Sequence, residues 1–325
     1  MMSYQEPPNK CPVCQRDGKF KFIQDYESGN KQKFSLFECP LCDVQFWVPF
    51  KSPGLLHYER EYRVRDFMKP HLIYEYHKRA LRSYRNFSKG VRVLDIGCGT
   101  GDFIAELQNK GCEVWGVDLD KNVIKFIKKY FEIENVYAMS FDEFLKIPNL
   151  PRFDIICFFE VIEHVDNLID FVQNVSKLLK DNGTIILGTP SRERVLVNLM
   201  ESDFPPHHLT RWNQKAISEL FKRINFSIVE VQYVDQLKFL IESMNVRFRL
   251  NLVLKTAKIF KSPKIDDKEK VLVGGTILTR IIHLGAYLKD YLLCGVPAVI
   301  LFLIGKLINR KNGDMLVWLK KNIKI

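Results

Sequence analysis

The spacing of apolar positions changes several times along the chain, and each change marks an element. Residues 19–23 and 33–37 alternate polar and apolar side chains, which predicts two short strands joined through Ser28, Gly29 and Asn30. Over 71–87, Leu72, Tyr76, Leu81 and Tyr84 recur at helical spacing. Residues 91–96 form an apolar strand that runs into Gly97, Gly99 and Gly101, and a helix is expected from Asp102. A second strand over 113–117 ends at Asp118. Further on, Ile217, Leu220, Phe221 and Ile224 place a helix over 213–224, followed by a strand over 226–234. Strands alternating with helices predict an α/β protein.

Composition narrows the class. The chain has 325 residues, 46% hydrophobic and 27% charged, with no internal repeat. That excludes a disordered, collagen-like or low-complexity protein. The first ten residues carry no apolar run, so no export signal is expected. The net charge of +11 is unevenly spread. Residues 236–325 carry 17 Lys+Arg against 6 Asp+Glu, whereas residues 90–235 carry 16 against 22. A basic, apolar flank suits an anionic surface. Within it, residues 291–305 hold no charge, but they fall short of the ~20 apolar residues of a membrane span. Gly295 and Pro297 also interrupt any helix there. Two readings stay open for 236–313: an interfacial hairpin with Lys255, Lys258, Lys261 and Lys264 near headgroups, or a buried lid over the acceptor. The linker over 51–89 interleaves tyrosines with arginines. Such a pattern can stack on bases, but an amphipathic helix whose tyrosines pack on the next domain is favoured.

The cysteines fall into two groups. Cys11/Cys14 and Cys39/Cys42 form two Cys-Pro-x-Cys pairs, each placing two thiolates across a tight turn. Two such pairs supply the four sulfurs that Zn²⁺ prefers in a closed structural site. About 50 residues build little core, so the metal supplies the missing stability. Residues 1–50 are therefore read as a zinc ribbon with Cys11, Cys14, Cys39 and Cys42 as ligands.

The glycine loop has company. Asp95 precedes it at the strand's end, and Asp118 closes the next strand, where an acid can accept hydrogen bonds from two ribose hydroxyls. The run Val93-Leu94-Asp95-Ile96-Gly97-Cys98-Gly99-Thr100-Gly101, with Val117-Asp118-Leu119-Asp120, resembles the class I S-adenosylmethionine (SAM)-dependent methyltransferases. Residues 152–165, which include Glu160, Glu163 and His164, are similar to that family's fourth strand and its E-x-x-E-H segment. Residues 178–186 resemble its next helix, turn and fifth strand, and residues 315–319 its last strand. The dinucleotide-binding alternative lacks its Gly-x-Gly-x-x-Gly spacing.

The resemblance implies a Rossmann-like seven-stranded α/β sheet with an N-terminal zinc ribbon and a C-terminal helical insert. The organisation expected is ribbon 1–50, helical linker or lid 51–89, SAM-binding core 90–235, basic insert 236–313, and last strand and tail 314–325. It also implies residue roles. Gly97, Gly99 and Gly101 line the methionine and ribose of SAM, and Asp95 orients the same region. Asp118 holds the ribose, Leu119 packs on adenine, and Ser140, Phe141 and Asp142 flank it. Glu160 lies beneath the methyl donor. A hydroxyl or carbon acceptor also needs a base, for which imidazole is suited near neutral pH. His164 follows the fourth strand, and His207 and His208 lie in Pro-Pro-His-His-Leu-Thr-Arg-Trp, which resembles a stretch common in a bacterial zinc-ribbon-bearing subset of the family.

These features lead to a cytoplasmic SAM-dependent methyltransferase, which the interfacial reading of 236–313, but not the lid reading, places against the inner face of the membrane. Its expected acceptor is a sugar or lipid-linked small molecule of surface-polysaccharide or lipid synthesis. An RNA methyltransferase guided by the ribbon, and a non-catalytic SAM-binding protein, are the alternatives. The acidic core argues against a nucleic-acid partner.

Overall fold

The computed structural model describes residues 6–54, 73–194, 203–234 and 313–322, with 299, 300 and 303. The chain divides into two compact units. All the sheets described below belong to one of them, residues 1–193, 197–234 and 313–325. The other, residues 194–196 and 235–312, lies almost wholly outside the described residues, as does the linker over 55–72. The two readings of the basic insert fall there. Among the described residues, no helix is long and apolar enough to cross a membrane.

The larger sheet has the strand order β10-β11-β8-β7-β4-β5-β6. Its parallel centre is β4 (Arg92–Ile96), β5 (Glu113–Asp118), β6 (Val136–Ala138), β7 (Phe153–Phe159) and β8 (Leu179–Pro190). Helices cover both faces, so these strands read as continuous apolar runs: β7 is buried from Ile155 to Phe159. β10 (Phe226–Val234) and β11 (Asp314–Lys321) close one edge antiparallel, with β11 between β10 and β8. This is the Rossmann-like seven-stranded arrangement expected from the sequence.

Two layers pack on the sheet. One holds α1 (Glu75–Ser83), α2 (Asp102–Asn109) and α3 (Lys121–Phe131), through Ala80, Ile104 and Ile127 among others. The other holds α4 (Phe141–Phe144), α5 (Leu168–Leu178), α6 (Gln214–Lys222) and the cysteine-bearing segment. Local sequence sets these helices. In α3, Val123, Ile124 and Ile127 form the buried face, and Asp120 caps the start by accepting from Asn122 N at 2.8 Å. Tyr76 and Tyr84 pack on the core, and Tyr84 Oη donates to Thr184 Oγ1 at 2.8 Å. Tyr74, by contrast, is exposed, and Tyr58 and Tyr62 of the linker lie outside the described residues.

One junction differs from expectation. The sequence suggests helix, turn, strand over 178–186, but β8 starts directly at Leu179. Phe153 pairs with Leu179 and Ile155 with Thr184, so residues 180–183 are taken up as a bulge in the strand.

The smaller sheet has the order β1-β2-β3-β9: β1 (Lys21–Glu27), β2 (Lys33–Glu38), β3 (Gln45–Val48) and β9 (Thr210–Arg211). Its last strand comes from the far side of the larger sheet in sequence. Gln45 pairs with Arg211 and Phe46 with Thr210. The ribbon is therefore completed by the loop that carries His207 and His208.

Candidate active site and metal centre

At the carboxyl end of β4 the chain turns sharply. Gly97 has φ +75° and Gly99 φ +50°, in the region that L side chains rarely enter. A Cβ on Gly97 would meet Val161 Cγ2 at 2.6 Å, whereas one on Gly99 would meet nothing within 4 Å. The loop is thus pressed against the protein at one glycine and open at the next. The second strand holds it there. Gly97 N donates to Val117 O at 2.8 Å, and Gly99 N to Asp118 Oδ2 at 3.0 Å. Asp120 N donates to the other Asp118 oxygen at 2.9 Å.

Two acids converge beneath this loop. Asp95 is 1% exposed, and its Oδ1 has no hydrogen-bond partner among the described residues. Burial, then the neighbouring Asp118, raise its pKa well above the usual carboxylate range. Asp118 is also raised by burial, although its bonds from Asp120 and Gly99 pull the other way. A buried, unpartnered carboxylate oxygen beside an open glycine cradle fits a ligand rich in hydroxyls and amines. Leu119 is half-buried at the same strand end. Ser140, Phe141 and Asp142 follow β6. Ser140 uses its hydroxyl and amide in a capping box with Glu143, which leaves the half-buried Phe141 and the exposed Asp142 at this edge.

The fourth strand ends in a strained residue. Glu160 has φ +55°, a left-handed conformation that costs a non-glycine residue of order 1–3 kcal/mol. Its amide donates to Gly188 O at 2.9 Å. Above it, α1 lays Tyr76 against Phe159, with centroids 5.6 Å apart, and His77 between Phe103 and Phe159. Burial in this aromatic setting lowers the His77 pKa to about 3, so that the ring is neutral. Burial, then the charge of Glu160, raise the Tyr76 phenol well above its usual value. The sequence pattern marked Tyr76 only as a helix-face residue.

The three histidines meet. One ring nitrogen from each of His164, His207 and His208 lies within 4.8 Å of the others. His164 Nδ1 donates its proton to the His207 carbonyl at 2.6 Å, which makes Nε2 the unprotonated nitrogen of the neutral ring. His208 is 3% exposed. Its Nδ1 lies 3.7 Å from Asp203 Oδ1, and its Nε2 lies 4.0 Å from Glu163 Oε1. Thr189 Oγ1 donates to the other Glu163 oxygen at 3.1 Å, and Leu209 N to the Glu163 carbonyl at 2.8 Å. Burial raises the Glu163 pKa, against the pull of His208.

This polar group continues into the ribbon. Arg211 Nη2 lies 3.8 Å from Asp203 Oδ2, and Arg211 Nη1 donates to Gln45 Oε1. Trp47 Nε1 donates to Asp203 O at 3.0 Å, and Trp47 N to Leu209 O at 2.9 Å. Nothing in the local sequence around 203–212 signals the contacts to Gln45 and Trp47, because those partners lie more than 150 residues away in the chain.

The cysteines gather at the other end of the ribbon. Cys11, Cys14, Cys39 and Cys42 are all buried and not disulfide-bonded. Their Sγ atoms pair at 3.6 Å (Cys11 with Cys42) and 3.8 Å (Cys14 with Cys39). A tetrahedron with Zn–S bonds of ~2.3 Å has edges of about 3.8 Å. The two turns have matching bonds: Gln15 N to Cys11 O and Asp43 N to Cys39 O, then Cys11 N to Arg16 O and Cys39 N to Val44 O. Gln15 and Asp43 both have positive φ. Without a cation, burial holds the Cys14 thiol up at about 11. The hydrogen bond between Cys42 and Cys11, then burial, push Cys42 higher.

A family model described as a methyltransferase domain matches residues 61–231. A ubiquinone biosynthesis O-methyltransferase of Pelagibacter ubique is 32% identical over 148 residues, which is 45% of this chain and 59% of that protein. Its counterpart in Rickettsia typhi is 30% identical over 175 residues, 51% of this chain and 63% of that one. The chain thus spans less than two thirds of the length of these relatives. A SAM-dependent methyltransferase structure from Archaeoglobus fulgidus aligns with a TM-score of 0.48 at 19% identity, covering 82% of this chain and 99% of that one.

Proposed function

The chain belongs to the methyltransferase-domain family, and we propose that it transfers the methyl group of SAM to a hydroxyl of a small-molecule acceptor. The observation that carries this reading is the open glycine cradle above the unpartnered oxygen of Asp95, with Asp118 at the next strand end. When bound, SAM supplies an electrophilic sulfonium methyl. Gly97, Gly99 and Gly101 bring bare backbone to its methionine and ribose, and Asp95 orients them. Asp118 accepts from the ribose hydroxyls, and Leu119, Phe141 and Asp142 flank the adenine. Glu160 closes the pocket beneath the methyl group.

The histidines stand at the acceptor end. An in-line transfer needs alignment above all, and positioning can lower the barrier by roughly 7–11 kcal/mol. A hydroxyl acceptor must also lose its proton. His164 is the candidate base, because its Nδ1–H bond to the His207 carbonyl selects the tautomer in which Nε2 is the basic nitrogen. His207 and His208 fix the surroundings of that nitrogen. The names of the relatives, O-methyltransferases, favour oxygen over carbon as the acceptor atom. A sugar or lipid-linked acceptor held near a membrane is a finer reading. It rests on the sequence resemblance and on residues 236–313, most of which lie outside the described ones.

The cysteine geometry supports a structural zinc at Cys11, Cys14, Cys39 and Cys42 in the same protein. Its place is the ribbon, whose fourth strand leads into the histidine loop.

Methyl-labelled SAM incubated with the protein and native cell extract tests the reading, after separation into lipid, aqueous small-molecule, RNA and protein fractions. Label in the small-molecule or lipid fraction is expected. Label in RNA alone would move the ribbon and the Arg/Tyr linker to the centre of acceptor binding and overturn it.

A further inference from the structure

Tyr76 is a buried tyrosine whose hydroxyl neither the fold nor the proposed transfer uses. The residue is 9% exposed. Its ring is engaged: Tyr74 stacks on it with centroids 5.3 Å apart, and Phe159 lies along it at 5.6 Å. Its Oη, by contrast, has no hydrogen-bond partner among the described residues. Tyr84, just past the end of the same helix, donates its hydroxyl to Thr184. A buried tyrosine usually finds such a partner, so an unused phenol oxygen points to a group that binds beside it.

The fold puts that residue at the donor end. From β4 the sheet grows one way through β5 and β6, and the other way through β7 and β8. Open α/β sheets bind ligands at the carboxyl ends of the strands where the order reverses, which here is between β4 and β7. α1 bridges that point. His77 is wedged between Phe103, two residues past Gly101 of the β4 loop, and Phe159, the last residue of β7, at 4.9 and 4.7 Å. Tyr76 packs edge-on against His77 at 4.5 Å. After burial, the charge of Glu160, the residue that follows β7, is the strongest influence on its phenol, ahead of Tyr74, Asp314 and Glu163. The oxygen therefore sits in a negative field.

We propose that the phenol oxygen of Tyr76 contacts the sulfonium of SAM and selects this charged donor over S-adenosylhomocysteine, the neutral product. The proposal deepens the methyl-transfer reading and rests on it. The positive charge of a sulfonium spreads onto the C–H groups around its sulfur, and an oxygen lone pair attracts these through weak CH···O contacts. Buried surroundings strengthen the attraction. The thioether of the product carries no charge and offers no such partner. Two features suit Tyr76 to the task. Its oxygen accepts from no donor among the described residues. Its raised pKa keeps the phenol neutral, so that it attracts the sulfonium without becoming a phenolate, which would take the methyl group itself.

Calorimetric titrations of the full-length protein with SAM and with S-adenosylhomocysteine test the assignment, on the unaltered chain and on Tyr76→Phe. The variant keeps the ring that packs on Tyr74 and Phe159. Its Kd for SAM should rise about two- to fivefold, as for the loss of one weak CH···O contact, and its Kd for the product should stay within a factor of about 1.5. A packing role alone would move both affinities together. Equal weakening of both, or no change in either, would overturn the assignment and leave the donor site standing. A second measurement needs no variant: the methyl protons of ¹³C-methyl SAM should shift downfield on binding to the unaltered protein. An upfield shift, the mark of a ring face, would overturn the assignment. An unaltered protein that bound neither compound would overturn the donor site and the assignment with it.

Discussion

The glycine end and the histidine end of this molecule both follow the carboxyl ends of strands in one sheet but are assembled in different ways. The glycine end is built from neighbours in the chain: β4, its loop, and β5 with Asp118 all fall within residues 92–118. The histidine end draws on Glu163 and His164 after β7, on the loop over 203–212, and on Gln45 and Trp47 of the ribbon. The first is a motif, and the second is an assembly. It follows that the ribbon does more than stabilise itself: it fixes the position of the loop that brings His207 and His208 to His164.

The largest effect that separates the two ends should come from removing the zinc proposed for Cys11, Cys14, Cys39 and Cys42. Structural zinc sites are worth about 10–16 kcal/mol in isolated fingers. Strong chelation should expose residues 6–50 to hydrogen exchange, and residues 203–212 with them, while β4 to β8 stay protected. A histidine loop that stayed protected after the ribbon had opened would break the link between the two.

A pair of substitutions should dissociate the ends functionally. Asp118→Ala is expected to weaken SAM binding at least tenfold, about 1.4 kcal/mol, by calorimetry. His207→Ala should slow turnover at least tenfold and leave SAM affinity within a factor of about two. If both variants lost the same property, the ends would not be separate.

Trp47→Phe is a subtler probe. It leaves the Asp203 carbonyl without its indole donor, at a cost of about 1–3 kcal/mol of stability. The expected readout is a raised KM for the acceptor with an unchanged Kd for SAM, though Trp47 touches neither.

The smallest effect concerns pH. Asp95 has a raised pKa in the folded protein, so its ionised form opposes folding. Its favourable contribution is complete below the unfolded value of about 3.9 and is lost as pH rises through the folded one. Asp95→Asn should therefore raise the melting temperature at pH 7, by ~2–4 °C for each kcal/mol relieved, and the gain should vanish below about pH 4. The same variant should bind SAM less well. A melting temperature that fell at neutral pH would show that the Asp95 carboxylate is stabilised by its surroundings.

The chain's own order of residues determined the parallel strands, the glycine turn with its flanking acids, and the two cysteine knuckles. Each depends on contacts between residues close in sequence or on a repeated spacing, so the pattern carries the geometry. Buried apolar runs specified β4, β5 and β7, and a matching Cys-Pro-x-Cys pair specified each turn of the ribbon. The histidines were visible as residues near strand ends, but not as a cluster. Folding alone decided that β9 completes the ribbon, that Glu160 adopts φ +55°, that Tyr76 lies against Phe159, and that three imidazoles meet between buried carboxylates. The physical reason is that these contacts join segments more than 40 residues apart, as from His164 to His207. Only the closing of the sheet brings such segments together, and no local periodicity records it.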